Sequence, residues 1–280
     1  MPEANDMELL REYGQSGSEP AFAELVQRHI NLVYSVALRH VGITAQAEEI
    51  TQAVFIILAR KAASLKSRTV LEGWLHTTTR LTALSFLRGE RRRQFREQEA
   101  YMQSTLQGSG DTTNDVTWEQ LEPLLDEAVS RLGKKDRDAL VLRFFKDRSI
   151  REVATALEVN EAAAQRRVLR ALEKLRRYFT KCGVDSTTAI ISGKISANSI
   201  YAAPVTLAQS VTSVAIAKGA VASASTLTLI KGALKLMAWT KAKTTIAIGF
   251  GLLLLTGTTA VAVKKMVRPQ LPFLRIVGKC

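Results

Sequence analysis

Cysteine and histidine are scarce in this 280-residue chain, which holds two cysteines, Cys182 and Cys280, and three histidines, His29, His40 and His76. Two distant cysteines give neither a disulfide framework nor a paired metal-ligand spacing. The scattered histidines have no partner at ligating distance in sequence, so no metal and no cofactor is expected. No constellation of carboxylates and histidines suggests a hydrolase or nuclease, and the chain is not read as an enzyme. Strand-like alternation of useful length is missing, as is any fixed-period repeat, which excludes a sheet-based fold and a solenoid. The stretch "MPEANDMELLREYGQ" lacks the basic and apolar segments of a secretory signal, so the first 180 residues are expected to stay in the cytosol. Acidic residues are nearly missing from the C-terminal part: from Cys182 onward there are 11 Lys/Arg and one carboxylate, Asp185.

What is present is helical and basic in places. The net charge is +13, but residues 1–102 are almost balanced, with 13 basic against 12 acidic residues, and most of the excess lies beyond Cys182. A high isoelectric point is therefore no argument for nucleic-acid binding, which has to rest on local clusters. In "EPAFAELVQRHINLVYSVALRHV" the apolar positions Phe22, Leu25, Val26, Ile30, Val33, Val36 and Ala37 follow helical spacing. "TAQAEEITQAVFIILARKAASL" continues the pattern with Thr44 expected as its N-cap, and "LEGWLHTTTRLTALSFLRGERRRQFREQEAYMQ" forms a third helical run. The Gly/Ser/Thr/Asp-rich "STLQGSGDTTNDVT" reads as a linker. The expected fold is all-α: a helical domain over 1–102, a flexible linker over 103–117, and a second helical domain over 118–181. An Ala/Ser/Thr-rich basic tail over 182–243, an apolar helix over 244–263 and a short basic end over 264–280 complete the chain.

The stretch "SIREVATALEVNEAAAQRRVLRALEKLRR" carries the most chemistry. Ser149 and Glu152 fit a capping box that opens a short helix, and Asn160 can cap the next one. On a helical wheel Ala164, Val168, Ala171 and Leu175 form the inward stripe, with Leu172 beside it. Arg166, Arg170 and Arg177 lie opposite, flanked by Arg167 and Lys174. Two helices joined by a tight turn, the second basic on its outer face, make a helix-turn-helix. The small residues Ala162, Ala163 and Ala164 let the helix start approach a groove. Gln165, Arg166, Arg167, Arg170 and Lys174 are then the candidates to reach bases and phosphates, since Arg suits guanine and Gln suits adenine.

In the first domain, Ile50, Val54, Ile57 and Leu58 share one helix face and are expected in the core. Glu48, Gln52, Phe55 and Ala59 share another, where an exposed phenylalanine would mark an interaction surface. Arg80, Arg88, Arg91, Arg92, Arg93 and Arg96 form a basic run suited to neutralising phosphates. "AEEITQAVFIILARKA", "GWLHTTTRLTALSFLRGERRR" and the helix-turn-helix, in that order, resemble regions 2 and 4 of the extracytoplasmic-function (ECF) sigma factors of bacterial RNA polymerase. The resemblance covers about Met7 to Lys181. It implies that Glu48, Glu49, Gln52 and Phe55 bind the clamp of the polymerase's largest subunit, and that region 4 meets the flap. It also implies that Lys66 and Arg68 of the loop Ser64 to Glu72, with Arg80, Arg88, Arg91, Arg92 and Arg93, hold the melted −10 element while the second domain reads −35. Trp74 is expected to be a packing residue. The chain departs from the family pattern at His76, Thr77, Leu81, Ser85, Ala163 and Gln165, which leaves the promoter sequence open.

Thr244 to Val263 carries no charge over twenty residues, enough for a membrane-crossing helix. The expectation is thus a sigma factor with cytoplasmic domains anchored to the inner membrane by a C-terminal helix, its partners being core RNA polymerase, promoter DNA and an anti-sigma factor. A second crossing near Val205 to Ile230 is a weaker reading, given Lys218 and the many Ser and Thr residues. A membrane-anchored helix-turn-helix regulator that does not act as sigma is the alternative.

Overall fold

A computed structural model describes residues 5–98, 117–217, 226–235 and 237–238, with side chains of 93–98 left aside. Through Lys235 the chain forms one compact unit, and every regular element among the described residues is helical.

Short-range rules start and stop these helices. Helix α1 (Asp6–Ser16) opens on Asn5, which forms a reciprocal capping box with Glu8. It ends at Gly17 with φ 72°, a left-handed conformation that glycine adopts without steric cost. Helix α2 (Glu19–Val41) starts on Ser18 with Pro20 in its first turn and ends at Gly42, φ 68°. Tyr13 stacks on Phe22 at 4.5 Å between ring centroids, fixing α1 to α2. Asp6 binds Arg28 at 2.9 Å and His29 at 2.7 Å. Burial pushes the Asp6 carboxyl up, but those two partners outweigh it and hold it at about 2.

Helix α3 (Thr44–Lys61) begins at Thr44 itself, so the cap position belongs to Ile43, one residue earlier than the sequence suggests, and carries no side-chain cap. Helix α4 (Leu71–Gln98) crosses α2 and α3. Its buried threonines need no external partner, because the hydroxyls of Thr79 and Thr82 donate to the carbonyls of Leu75 and Thr78 one turn back.

The second half contains α5 (Trp118–Ser130), α6 (Lys134–Leu140), a wide π turn over Val141–Phe145, α7 (Ile150–Ala156) and α8 (Glu161–Lys181). Two further helices, α9 (Thr188–Asn198) and α10 (Val205–Ile216), follow in the stretch that composition marks as a tail, and residues 226–235 are helical again. Helix α10 packs its Leu207, Ala208, Val211 and Ala215 side against α2 and α3. The second crossing expected near Val205 to Ile230 is not found among the described residues: 205–216 form a twelve-residue helix laid on the bundle and 226–230 begin another, and neither is long and apolar enough to cross a membrane. Among the described residues no helix is long and apolar enough to cross a membrane. The apolar run 244–263 and most of the linker 103–117 lie outside the described residues.

The two halves are joined by a buried polar cluster. Arg39 of α2 grips Asp126 of α5 with two hydrogen bonds, 2.8 and 3.0 Å. His76 of α4 donates from Nε2 to the same carboxylate at 3.0 Å. All three side chains are almost wholly shielded from water. Burial penalises the Asp126 charge, yet Arg39 and His76 reverse the balance and hold its carboxyl far below the usual range. Burial lowers His76, and the positive charges of Arg39 and Arg137 add to that, against the raising pull of Asp126. His76 Nδ1 has no partner, so a second ring proton would be buried unsatisfied.

Both shifts favour folding at neutral pH. The unfolded chain takes up protons at His76 near pH 6.5 and at Asp126 near 3.8, before the folded chain does. Stability is therefore fully present above pH 6.5 and declines as pH falls through and below that value. Asp126→Asn leaves the Arg39 guanidinium buried without a counter-charge and is expected to cost about 3–5 kcal/mol, read as a lower urea midpoint. The variant should also show a shallower acid dependence than the parent.

Candidate nucleic-acid interface

The helix-turn-helix is assembled from local signals. Ser149 accepts from the Glu152 amide while Glu152 accepts from the Ser149 amide, closing the capping box. That backbone hydrogen bond, followed by the Ser149 hydroxyl and Arg148, holds the Glu152 carboxyl at about 2. The turn passes through Glu158 at φ 51°, a left-handed conformation unusual for a non-glycine residue. Asn160 then caps α8 by accepting from the Ala163 amide at 2.8 Å. Ala164, Val168, Ala171, Leu172, Leu175 and Phe179 form the buried stripe, matching the wheel and extending it by one turn.

The outward face is sorted by the partners its side chains find. Gln165, Arg166 and Arg170 are exposed, and Arg167 is half-buried. Lys174 lies 2.7 Å from Asp136, a carboxylate that is nearly buried, and Arg170 reaches the same group at 3.8 Å. Lys174 is therefore held by its own domain, whereas Arg166 points a cation outward one turn into the helix. Arg176 and Arg177 both close on Glu173, holding its carboxyl at about 2, and this partly neutralised cluster bounds the basic face.

On the first half, Lys66 and Arg68 sit exposed in the loop between α3 and α4. Arg68 meets Glu158 at 3.4 Å, an exposed pair of little energetic consequence. Arg80 pairs with Glu127 of α5 and is only partly accessible, so in this conformation it faces the second half rather than an open groove. Arg88, Arg91 and Arg92 are exposed on α4, while the Arg93 side chain is outside the described residues. Trp74 is half-buried.

Phe55 corrects the sequence reading. It is fully buried, as is every residue from Ala53 to Ala59, so it offers no exposed aromatic contact. Glu48, Glu49 and Gln52 are half-buried on the preceding turns. A cavity of about 830 Å³ lies between the loop 67–72, Arg28, and the α6–α8 residues Lys134, Arg151 and Arg167. The basic groups of the loop and of the helix-turn-helix thus line a common space. The Asp126 cluster went unnoticed in the sequence because its partners stand 87 and 50 residues away, with no local spacing to betray them.

The family model described as Sigma-70 region 2 matches residues 25–93, and that described as Sigma-70, region 4 matches residues 123–175. The chain is 30% identical over 171 residues to the ECF RNA polymerase sigma factor SigE of Mycolicibacterium smegmatis, covering 60% of this chain and 65% of that one. It is 24% identical over 213 residues to the probable RNA polymerase sigma factor RfaY of Xanthomonas campestris, covering 75% and 53%. Against the RNA polymerase sigma factor CarQ of Myxococcus xanthus the identity is 28%, covering 59% and 92%. The chain thus spans just under two thirds of the first relative and about half of the second.

Two substitutions separate framework from face. Ser149→Ala, which removes the cap, is expected to cost about 1 kcal/mol. Arg166→Ala, on the open face, should change stability by less than about 0.5 kcal/mol. Thermal unfolding of the two variants beside the parent checks both values.

Proposed function

We propose, from the matches to Sigma-70 regions 2 and 4 and the likeness to ECF sigma factors, that the chain binds core RNA polymerase and directs it to specific promoters. Region 4 would read the −35 element with Gln165, Arg166, Arg167 and Arg170 of α8, with Lys174 bracing the helix through Asp136. Region 2 would engage the −10 element with Lys66, Arg68 and the arginines Arg80, Arg88, Arg91, Arg92 and Arg93, and would meet the polymerase clamp through Glu48, Glu49 and Gln52. Region 4 would meet the flap. Such a chain initiates transcription without being an enzyme, since bond formation belongs to the polymerase. The observation that carries this reading is the ordered pair of matched regions, the second presenting an open cationic face on a capped helix-turn-helix.

The finer elements rest on the sequence. The charge-free run 244–263 suits an anchor in the inner membrane, with both sigma regions on the cytoplasmic side, and an anti-sigma factor would supply signal-dependent control. Cell fractionation of the full chain and of a variant carrying Leu253→Lys and Leu254→Lys tests the anchor. Loss of membrane association in the variant alone is the expected result.

Transcription in vitro with purified core polymerase on a genomic fragment library tests the central claim. Start sites that appear only when the chain is added are expected, and an identical pattern with and without it would refute the proposal. Arg166→Ala should weaken binding of the holoenzyme to those promoters. If the residue neutralises a phosphate, the slope of log affinity against log salt should become shallower by about 0.9.

A further inference from the structure

The segment that follows region 4 occupies the surfaces on which the proposed function depends. Helix α3 is buried around its whole circumference from Ala53 to Ala59. At 100° per residue, seven successive positions sample every direction around the axis. Its packing neighbours are α2, α4, the turn Ala62–Ser64 and α10. The first three belong to region 2, whereas α10 lies beyond residue 175, where the second matched region ends. The following helix, 226–235, continues the cover. The Thr226 hydroxyl reaches Glu49 at 3.5 Å, and Gly232 lies so close to Ser85 that a Cβ there would stand 2.3 Å from its hydroxyl.

The same segment ties the two regions together. The Tyr201 amide donates to Ser35 of α2 at 2.7 Å. Its phenol donates to Glu122 of α5 at 2.6 Å and accepts from the Trp118 indole at 3.1 Å. Arg39, already holding Asp126, also donates to the Ser199 carbonyl. One tyrosine therefore bridges α2 of region 2 and α5, the helix that leads into region 4.

This closed form is incompatible with promoter engagement. Elements at −10 and −35 lie 25 base pairs apart by their names, roughly 85 Å along a duplex rising ~3.4 Å per base pair. Here Arg68 of the −10 loop touches Glu158 of the helix-turn-helix at 3.4 Å, and the two basic surfaces share a cavity.

We infer that residues 188–217 and 226–235 act as an intramolecular strap that competes with core RNA polymerase for the α3 face of region 2 and holds region 4 against region 2 until it is displaced. The inference rests on the sigma reading above. Its occupant is a segment of the chain itself, seated on the surface, uncharged along all of α10 and matched to α2 and α3 through Leu207 and Val211. The strap lowers the apparent affinity for polymerase by the fraction of molecules in which it is undocked.

The test uses the full chain. Fluorescently labelled protein and its Val211→Asp and Tyr201→Phe variants are titrated with purified core polymerase, and affinity is read by anisotropy. Val211→Asp places a carboxylate on the buried side of α10 and is expected to tighten binding about tenfold or more, by the population argument. Tyr201→Phe removes only the bridging hydroxyl and is expected to tighten it about two- to fivefold. The milder variant keeps the test decisive if the carboxylate variant fails to fold. Equal affinities for the parent and the folded variants would overturn the strap and leave the sigma function standing. Absence of binding by all three would overturn the sigma reading itself, and the strap with it.

Discussion

A carboxylate removed from water must be answered by positive charge and hydrogen-bond donors or it will not stay ionised. Asp126 is answered from two directions, by the charge of Arg39 on α2 and by the ring N–H of the neutral His76 on α4. That requirement fixes where α5 can sit against helices α1 to α4, because only one placement satisfies a bidentate guanidinium and an imidazole at once. Phe145, edge-on to His76 and beneath Arg39, closes the cluster from the π turn. The register of region 4 against region 2, and with it the cavity lined by both basic surfaces, follows from this constraint.

Much of the molecule is legible locally. Asn160 as a cap, Ser149 with Glu152 as a box, and the Ala164–Val168–Ala171–Leu175 stripe are all set by residues within one or two turns, and the structure contains each of them. The same logic misplaced the cap of α3 by one residue, since Thr44 begins the helix with helical backbone and Ile43 precedes it in an extended conformation. Phe55 shows where local logic ends. Helix periodicity correctly set it apart from Ile50, Val54 and Ile57, but the face it occupies is covered, and α10, about 150 positions further on, is a neighbour of α3 from outside region 2. Composition hid that neighbour. A run of Ala, Ser, Thr and Val without charge resembles a spacer, yet Leu207, Ala208, Val211 and Ala215 recur at helical spacing and provide a narrow apolar stripe.

The residues on the basic outer face of α8 were readable by type but not by state. A wheel assigns Arg166, Arg170 and Lys174 to one side, yet it cannot say which of them an internal acid will hold. Asp136, on a helix that opens four residues after α5 ends, draws in Lys174 and more weakly Arg170. In the first domain Arg80 meets Glu127 by the same kind of long-range pairing. Counting arginines in a run therefore overstates the charge a helix offers to a phosphate backbone, and the difference is visible only when the acids of neighbouring helices are in place.

The chemistry of the junction also explains how a closed molecule can open. Removing one member of a buried ion pair strands the other in a medium that cannot solvate it, which is costly. Separating the whole cluster is different: Arg39, Asp126 and His76 would each regain water as α5 moves away, so the Coulombic loss is offset by hydration. Buried charge clusters are accordingly specific in geometry while contributing little net free energy. The strap has a similar balance, since a handful of modest apolar side chains on α10 must offset the entropy of ordering a twelve-residue segment. Two interfaces of this kind, one polar and exacting, one apolar and thin, give a compact state that is well defined yet displaceable. A partner that binds the α3 face needs only to exceed the small net stability of the strap, and once α10 leaves, Tyr201 no longer bridges the regions. Release of the cover and separation of the two basic surfaces would then be a single coupled event.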